Sequence, residues 1–217
     1  MKKIVFILFF EIFIISNCFA QDNLKFGFNG GLTYSSFRGN PQVETFDAGF
    51  DFLVGVSFEY QLKERLSLVA NINYDRKSVN DEPYIEFQSP DDPAFYGKVK
   101  IKFKNQFISI PIILKYKFDN SKSFYINGGP FLSYLLKSEL TNNYDDVNSD
   151  FTDNMKSVDF GLIFGVGKTF KLKNNSEINI EIRENLGLAN ISALPVVGDG
   201  SIKSNSINLI CNYSFKL

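Results

Sequence analysis

Eight charged residues stand where a two-residue alternation would turn them toward one shared interior: Asp51, Glu59, Asp75, Lys115, Lys117, Lys137, Glu181 and Arg183. Four are acids and four are bases. Charges removed from water have to be paired. The plainest chemistry for this set is mutual neutralisation, an internal plug of ion pairs and hydrogen bonds. The sharper reading is a path for a proton or a small ion. A second basic set, Lys98, Lys100, Lys102 and Lys104, alternates with Val99, Ile101 and Phe103. A one-sided lysine stripe keeps an exposed ribbon soluble; it also suits the phosphates of lipopolysaccharide or another anionic partner.

Other chemistry finds little support. The chain has no histidine, the usual general base, and its two cysteines are Cys18 and Cys211. The segment 161–169, GLIFGVGKT, approaches a phosphate-binding loop, but Leu162 stands where the first glycine is required. Asp146, Asn148 and Asp150 have the first three spacings of a calcium loop. Phe151 then replaces its glycine, and Ser157 its bidentate glutamate. The expectation is a non-enzymatic protein with no catalytic residue, metal or cofactor, and a solvated acidic loop around 146–150. With 23 basic and 24 acidic residues, no nucleic-acid partner is indicated.

The elements that must position these residues are strands. Residues 105–118 read NQFISIPIILKYKF. Ile108, Ile110, Ile112, Leu114, Tyr116 and Phe118 fall on one face and Ser109, Pro111, Ile113, Lys115 and Lys117 on the other. Seven further segments alternate in the same way: 24–37, 48–61, 65–77, 123–137, 157–170, 177–190 and 205–217. Each is long enough to cross a bilayer as a tilted strand of about 9–11 residues. Connections between them alternate long and short, the parity of outer-membrane barrels. Tyr60, Tyr116, Phe118, Phe124, Phe170, Tyr213 and Phe215 collect at the short-turn ends. Tyr34, Phe50, Tyr74, Tyr134 and Phe160 collect at the long-loop ends. These are the positions of two aromatic girdles.

Before the strands, Lys2 and Lys3, an apolar run broken by Glu11, and Cys18-Phe19-Ala20 before Gln21 form a cleavable export signal over residues 1–20. Residues 21–217 then form the barrel domain. The predicted fold is all-β: an eight-stranded up-and-down antiparallel transmembrane barrel with both termini periplasmic. Eight strands leave an interior just wide enough for side chains. Two local features are predicted in the fourth strand. Apolar residues are odd-numbered at 99–103 and even-numbered from 108, which calls for a bulge near 104–107. Pro111 lacks a donor, so one ladder bond should be missing or the local geometry adjusted. Lys115 and Lys117 should lie near Glu59 or Glu181.

The sequence resembles the PorT-type outer-membrane β-barrel family of Bacteroidetes. The resemblance is carried by FGFNGGLTYSSF, ISIPIILKYKF at 108–118, INGGPFLSYLL at 126–136, VDFGLIFGVG at 158–167, NLGLANIS at 185–192 and the terminal SINLICNYSFKL. It implies an eight-stranded barrel in the outer membrane of a Gram-negative cell envelope, without agreed catalytic residues. Two positions depart from the expected pattern: Glu184 falls on the apolar face of its strand, and the chain ends in Leu217 instead of an aromatic. The leading functional expectation is a structural or interaction component with binding on its long outer loops. Its partners would be outer-membrane lipid, lipopolysaccharide, and envelope or secretion-complex proteins. The competing expectations are small-solute or ion transport through the barrel, and a soluble lipocalin-like ligand-binding barrel.

Overall fold

The computed structural model describes residues 23–87, 95–143, 148–196 and 200–217. The export signal and Asp146 of the acidic loop lie outside the described residues. Among the described residues eleven strands follow one another: β1 (Leu24–Arg38), β2 (Asp47–Lys63), β3 (Leu66–Asp81), β4 (Tyr84–Phe87), β5 (Phe95–Lys98), β6 (Ile101–Lys117), β7 (Phe124–Asn142), β8 (Asn148–Asp150), β9 (Val158–Lys171), β10 (Ser176–Gly187) and β11 (Lys203–Lys216). Eight of them form a single ring in the order β6-β3-β2-β1-β11-β10-β9-β7. The β6–β7 pairing closes it, and every pairing in it is antiparallel. β4 and β5 make a separate hairpin in the loop between β3 and β6. β8 adds three residue pairs to the upper end of β7.

Alternation decides which side of each strand faces in. On β9, Val158, Phe160, Leu162, Phe164 and Val166 are exposed, while Asp159, Ile163, Gly167 and Thr169 are buried. The stretch 161–169 is therefore a membrane stave and not a phosphate loop. Gly167 is small for a packing reason, since a Cβ there would lie 2.4 Å from the Tyr125 hydroxyl. Around the ring the outward positions are large and apolar: Leu32 is 58 % exposed and Phe50 70 %. A soluble ligand-binding barrel requires the opposite arrangement, with charge outside and grease inside. The structure overturns that alternative.

Short turns join the staves at one end, at residues 64–65, 118–123 and 172–175. Lys122, Asn174 and Asn175 take the left-handed conformation that such turns need. The start of β1 meets the last residue at this same end, where the Leu217 amide bonds to the Leu24 carbonyl. Asp119 organises the 118–123 turn. Its carboxylate accepts from the amides of Ser123 and Phe124, both at 2.7 Å, and from the hydroxyls of Ser121 and Ser123.

The bulge is displaced from its predicted strand. β6 keeps a continuous register with β3 from Asp75/Phe107 to Lys77/Asn105 and beyond. The shift sits on the other seam, where Gln106 pairs with Lys137 and Phe107 with Leu135. The extra residue is Leu136 of β7. No slip is needed in β6 because Val99, Ile101 and Phe103 share the inward parity of Phe107 and Ser109. The barrel interior itself turns from polar to apolar toward the long-loop end.

The proline expectation is met. Pairing between β6 and β7 stops at Pro111/Phe131 and resumes at Leu114/Gly128. Between β3 and β6 it stops at Ala70/Ile112 and resumes at Asn73/Ser109. Pro130 stands opposite Ile112, so two residues without donors meet near one point.

Two predictions follow from these local geometries. A Cβ at Gly129 would lie 2.0 Å from the Ile112 carbonyl oxygen, whereas one at Gly30 meets nothing within 4 Å. Gly129→Ala should sharply reduce the folded fraction, seen as loss of the heat-modifiable gel band, and Gly30→Ala should leave it intact. At Asp119 desolvation opposes ionisation, but the bonds from Ser121, Phe124 and Ser123 outweigh it and hold the carboxyl well below the usual carboxylate range. A depressed carboxylate stabilises above its unfolded value of about 3.9 and loses that contribution as pH falls through the folded value. Melting midpoints of wild type and Asp119→Ala should therefore differ at neutral pH and converge only well below about pH 4.

Candidate functional site

The inward face of the ring is filled in layers. Nearest the short turns lies an ionic layer. Lys115 of β6 donates to Glu59 of β2 at 3.0 Å and to Asn179 of β10 at 3.2 Å. Arg183 bonds Glu181 at 2.5 Å, and the Tyr125 hydroxyl donates to the same carboxylate at 3.1 Å. Lys25 pairs with Glu177 at 2.6 Å. The Lys115 ammonium also lies 4.3 Å from the centre of the Tyr125 ring, close enough for a cation–π attraction. What space remains here is a cavity of about 30 Å³ among Glu59, Lys115, Tyr125 and Arg183, room for only a water or two.

Above the ionic layer, Ile113, Phe131 and Ile163 pack into a small apolar layer backed by Val69. A second group of charges follows. Lys77 lies 3.7 Å from Asp159 and over the rings of Phe107 and Phe131, at 5.2 and 5.5 Å. Asp159 accepts from Ser204 at 2.6 Å. Asp75 accepts from Thr33 at 3.3 Å.

Of the eight predicted lumen charges, Glu59, Asp75, Lys115, Glu181 and Arg183 sit in this interior. Asp51 is half-buried opposite Thr33 of β1, where Ser78 donates to it at 2.6 Å and Arg76 approaches at 3.2 Å. It lies beside an irregularity in which β2 spends one residue more than β3 between the Ala48/Val79 and Leu53/Asp75 pairs. Lys117 reaches only the lower mouth, half-buried, and makes no ion pair among the described residues. Lys137 is a correction. The extra residue Leu136 reverses the parity of β7, so Lys137 points out and pairs with Glu139 at 2.6 Å outside the lumen. Lys25, Lys77, Asp159 and Glu177 complete the network although they were not in the predicted set. Parity alone could have found them: Lys25 shares the face of Asn29, Lys77 that of Asp75, Asp159 that of Gly161 and Glu177 that of Glu181.

The lysine stripe is split. Lys102 and Lys104 lie on the outward side of β6, continuing the line of Ile108 and Ile110. Lys100 precedes the strand and pairs with Glu82 at 3.4 Å. Lys98 belongs to the separate hairpin, opposite Tyr84. The Val99 to Lys100 break between β5 and β6 is what divides them. Glu184 is exposed on the outer face between its cross-strand partners Phe164 and Ile207, and Cys211 is likewise exposed.

At the long-loop end the connections are tied to one another. The Lys156 amide bonds to the Ile191 carbonyl at 2.8 Å and the Ala193 amide to the Asn154 carbonyl at 3.0 Å. Ile191 bonds to Ile202 at 2.8 Å, and Ser201 to Gly39 at 3.4 Å. Beneath these ties Phe103 gathers Phe37, Phe46 and Phe151, with ring centres 6.3, 5.9 and 5.7 Å away.

Comparison with known proteins gives the family. The sequence matches the family described as "Outer membrane protein beta-barrel domain" over residues 19–193. The chain belongs to this family. No curated protein matches it. Among solved structures it is similar to Ail, the attachment invasion locus protein of Yersinia pestis, in complex with the heparin analogue sucrose octasulfate. The identity is 11 %, covering 89 % of this chain and 99 % of that one, with a TM-score of 0.44. It is also similar to Neisserial surface protein A, at 13 % identity, 88 % and 97 % coverage and a TM-score of 0.46. Outer Membrane Protein W of E. coli aligns at 12 % identity, 92 % and 100 % coverage and a TM-score of 0.45.

The buried pair Glu59–Lys115 gives the interior a direct test. Removing one partner leaves an uncompensated charge, which typically destabilises by about 3–5 kcal/mol. Lys115→Met alone should lower the unfolding free energy measured by urea titration in lipid vesicles by an amount of that order. Adding Glu59→Gln to it should recover most of the loss, and a double variant no better than the single one would refute the pairing.

Proposed function

We propose that this protein is a non-enzymatic integral barrel of the outer membrane that holds its long loops at the cell surface as a contact face. The observation that carries the reading is the filled interior: paired charges, an apolar layer and tied loops occupy the path a solute would take. On this reading residues 1–20 export the chain and are removed. The short-turn end, with both termini, faces the periplasm, as the parity of short and long connections favours. Membership of the narrower PorT-type group of Bacteroidetes is part of the proposal, supported by the six ordered segments quoted above. The partners would be envelope or secretion-complex proteins, met by loops on a rigid scaffold.

Lipopolysaccharide is the second partner. Lys102 and Lys104 stand on the outward face just beyond the apolar line of β6, with Lys100 next to them. Ammonium groups at that height suit lipid phosphates, an attraction that salt weakens. The lack of histidine, the usual general base, in the sequence favours the non-enzymatic part.

Planar-bilayer recording of the purified protein tests the whole reading. No steady open level is expected, and a large steady conductance would replace the contact role with small-solute transport. In-cell crosslinking from residues of the long loops should capture envelope proteins. Lys102→Gln with Lys104→Gln should reduce co-purifying lipopolysaccharide several-fold in low salt, with little change in high salt. Equal retention by wild type and variant would remove the lysines from the lipid contact.

A further inference from the structure

The aromatic cluster at the long-loop end does not fill its space. A cavity of about 210 Å³ lies between the loops and the top of the barrel, walled by Phe37, Val43, Phe46, Phe103, Phe151 and Met155 and closed on one side by residues 194–196 and 202. Among the described residues no charged side chain lines it, although Arg38, Glu44, Asp47, Lys102, Asp153 and Lys203 all stand close by in sequence. Two of the polar residues at its edge, Asn40 and Ser192, are already engaged. The Asn40 carbonyl accepts from the Val43 and Glu44 amides, its side-chain oxygen accepts from the Gln42 amide at 2.8 Å, and the Ser192 hydroxyl donates to the Leu194 carbonyl at 2.9 Å.

We propose that this cavity is a binding pocket for a small uncharged aromatic molecule of one or two rings. Size and lining both point there. An apolar protein cavity of roughly 150 Å³ stays dry and takes up benzene, so this one accommodates a substituted ring or a fused pair. The walls are ring faces and edges: Phe46 and Phe103 lie 8° from parallel, and Phe151 meets Phe103 at 70°. A further ring can continue the same stacked and edge-on contacts. The Met155 thioether adapts its shape to a planar guest. The walls are also fixed in advance, with Phe37 on β1, Phe103 on β6 and the loops tied together by backbone bonds, so little ordering is demanded on binding. Among the described lining residues a charged ligand would find no counter-charge, only the neutral side-chain amides of Asn40, Gln42 and Asn154 and the Ser192 hydroxyl. The proposal deepens the reading of the long loops as the binding face, giving one part of that face a ligand class.

Met155 supplies the probe, because the only other methionine is Met1. The mature chain, labelled with ¹³C at the methionine methyl and placed in lipid nanodiscs, would be titrated with indole. The expected result is a saturable shift of the Met155 methyl signal, with benzoate producing none. Val43→Trp and, separately, Ile202→Phe fill the pocket and should weaken indole binding at least about tenfold. Leu132→Trp, on the lipid face, should leave it unchanged. Two filling variants are used so that poor folding of one, read from its gel band, does not decide the matter. A shift that rises without saturation, or persists in a folded filled variant, means partition into lipid and overturns the proposal. Tighter saturation by a straight-chain alkanol of equal volume overturns the aromatic class. Crosslinking of loop partners is a separate readout, so the contact role can survive if the pocket fails.

Discussion

Inside a bilayer no water is available to a peptide group, and each unpaired N–H or C=O costs several kcal/mol. A sheet survives there only without edges. The eight staves of this chain meet that demand by returning β7 to β6 and β11 to β1. Everything else in the molecule is a consequence of that closure. Once the ring is shut its radius is set, the outward residues must suit lipid, and the inward ones must suit one another in a narrow tube.

The tube is filled in two chemical languages. Toward the short turns it holds Lys25–Glu177, Glu59–Lys115 and Glu181–Arg183. Toward the long loops, past Lys77 and Asp159, the inward positions become Val79, Val99, Phe107 and the half-buried Phe103. The two fillings respond differently to their surroundings. The ionic layer is shielded from salt by its burial. The apolar end depends on the exclusion of water and can hold a guest of its own kind. Binding and closure are thus combined at the outer mouth, while the inner mouth is closed by charge.

Most of the architecture was legible in the residues because the strand period is two and lipid enforces it strictly. Outward sets such as Ile108 to Phe118 could hardly be assigned otherwise. The same rule found Glu59, Lys115, Glu181 and Arg183. It failed at Lys137, since a bulge is a relation between two strands and no single strand reveals which partner carries the extra residue. It failed also at Val99, Ile101 and Phe103, where the apolar residues were assumed to keep the side of Ile108. Above the bilayer that assumption no longer holds: an apolar side chain there gains most by turning inward under the loops. The division of the lysine stripe had no sequence signal beyond Gly97 and Val99, and depended on tertiary pairing.

Pro111 and Pro130 mark the part of the wall with the least backbone stitching. Gly128 and Gly129 add no side chains of their own there. Directly behind this stretch, on the inner surface, Ile113, Phe131 and Ile163 are packed together. Load that the ladder cannot carry is therefore transferred to a buttress contributed by β6, β7 and β9. The wall resembles a staved vessel whose weakest joint is braced from within. A motion that opens that joint has to disperse the brace first, so local breathing and interior repacking are mechanically one event.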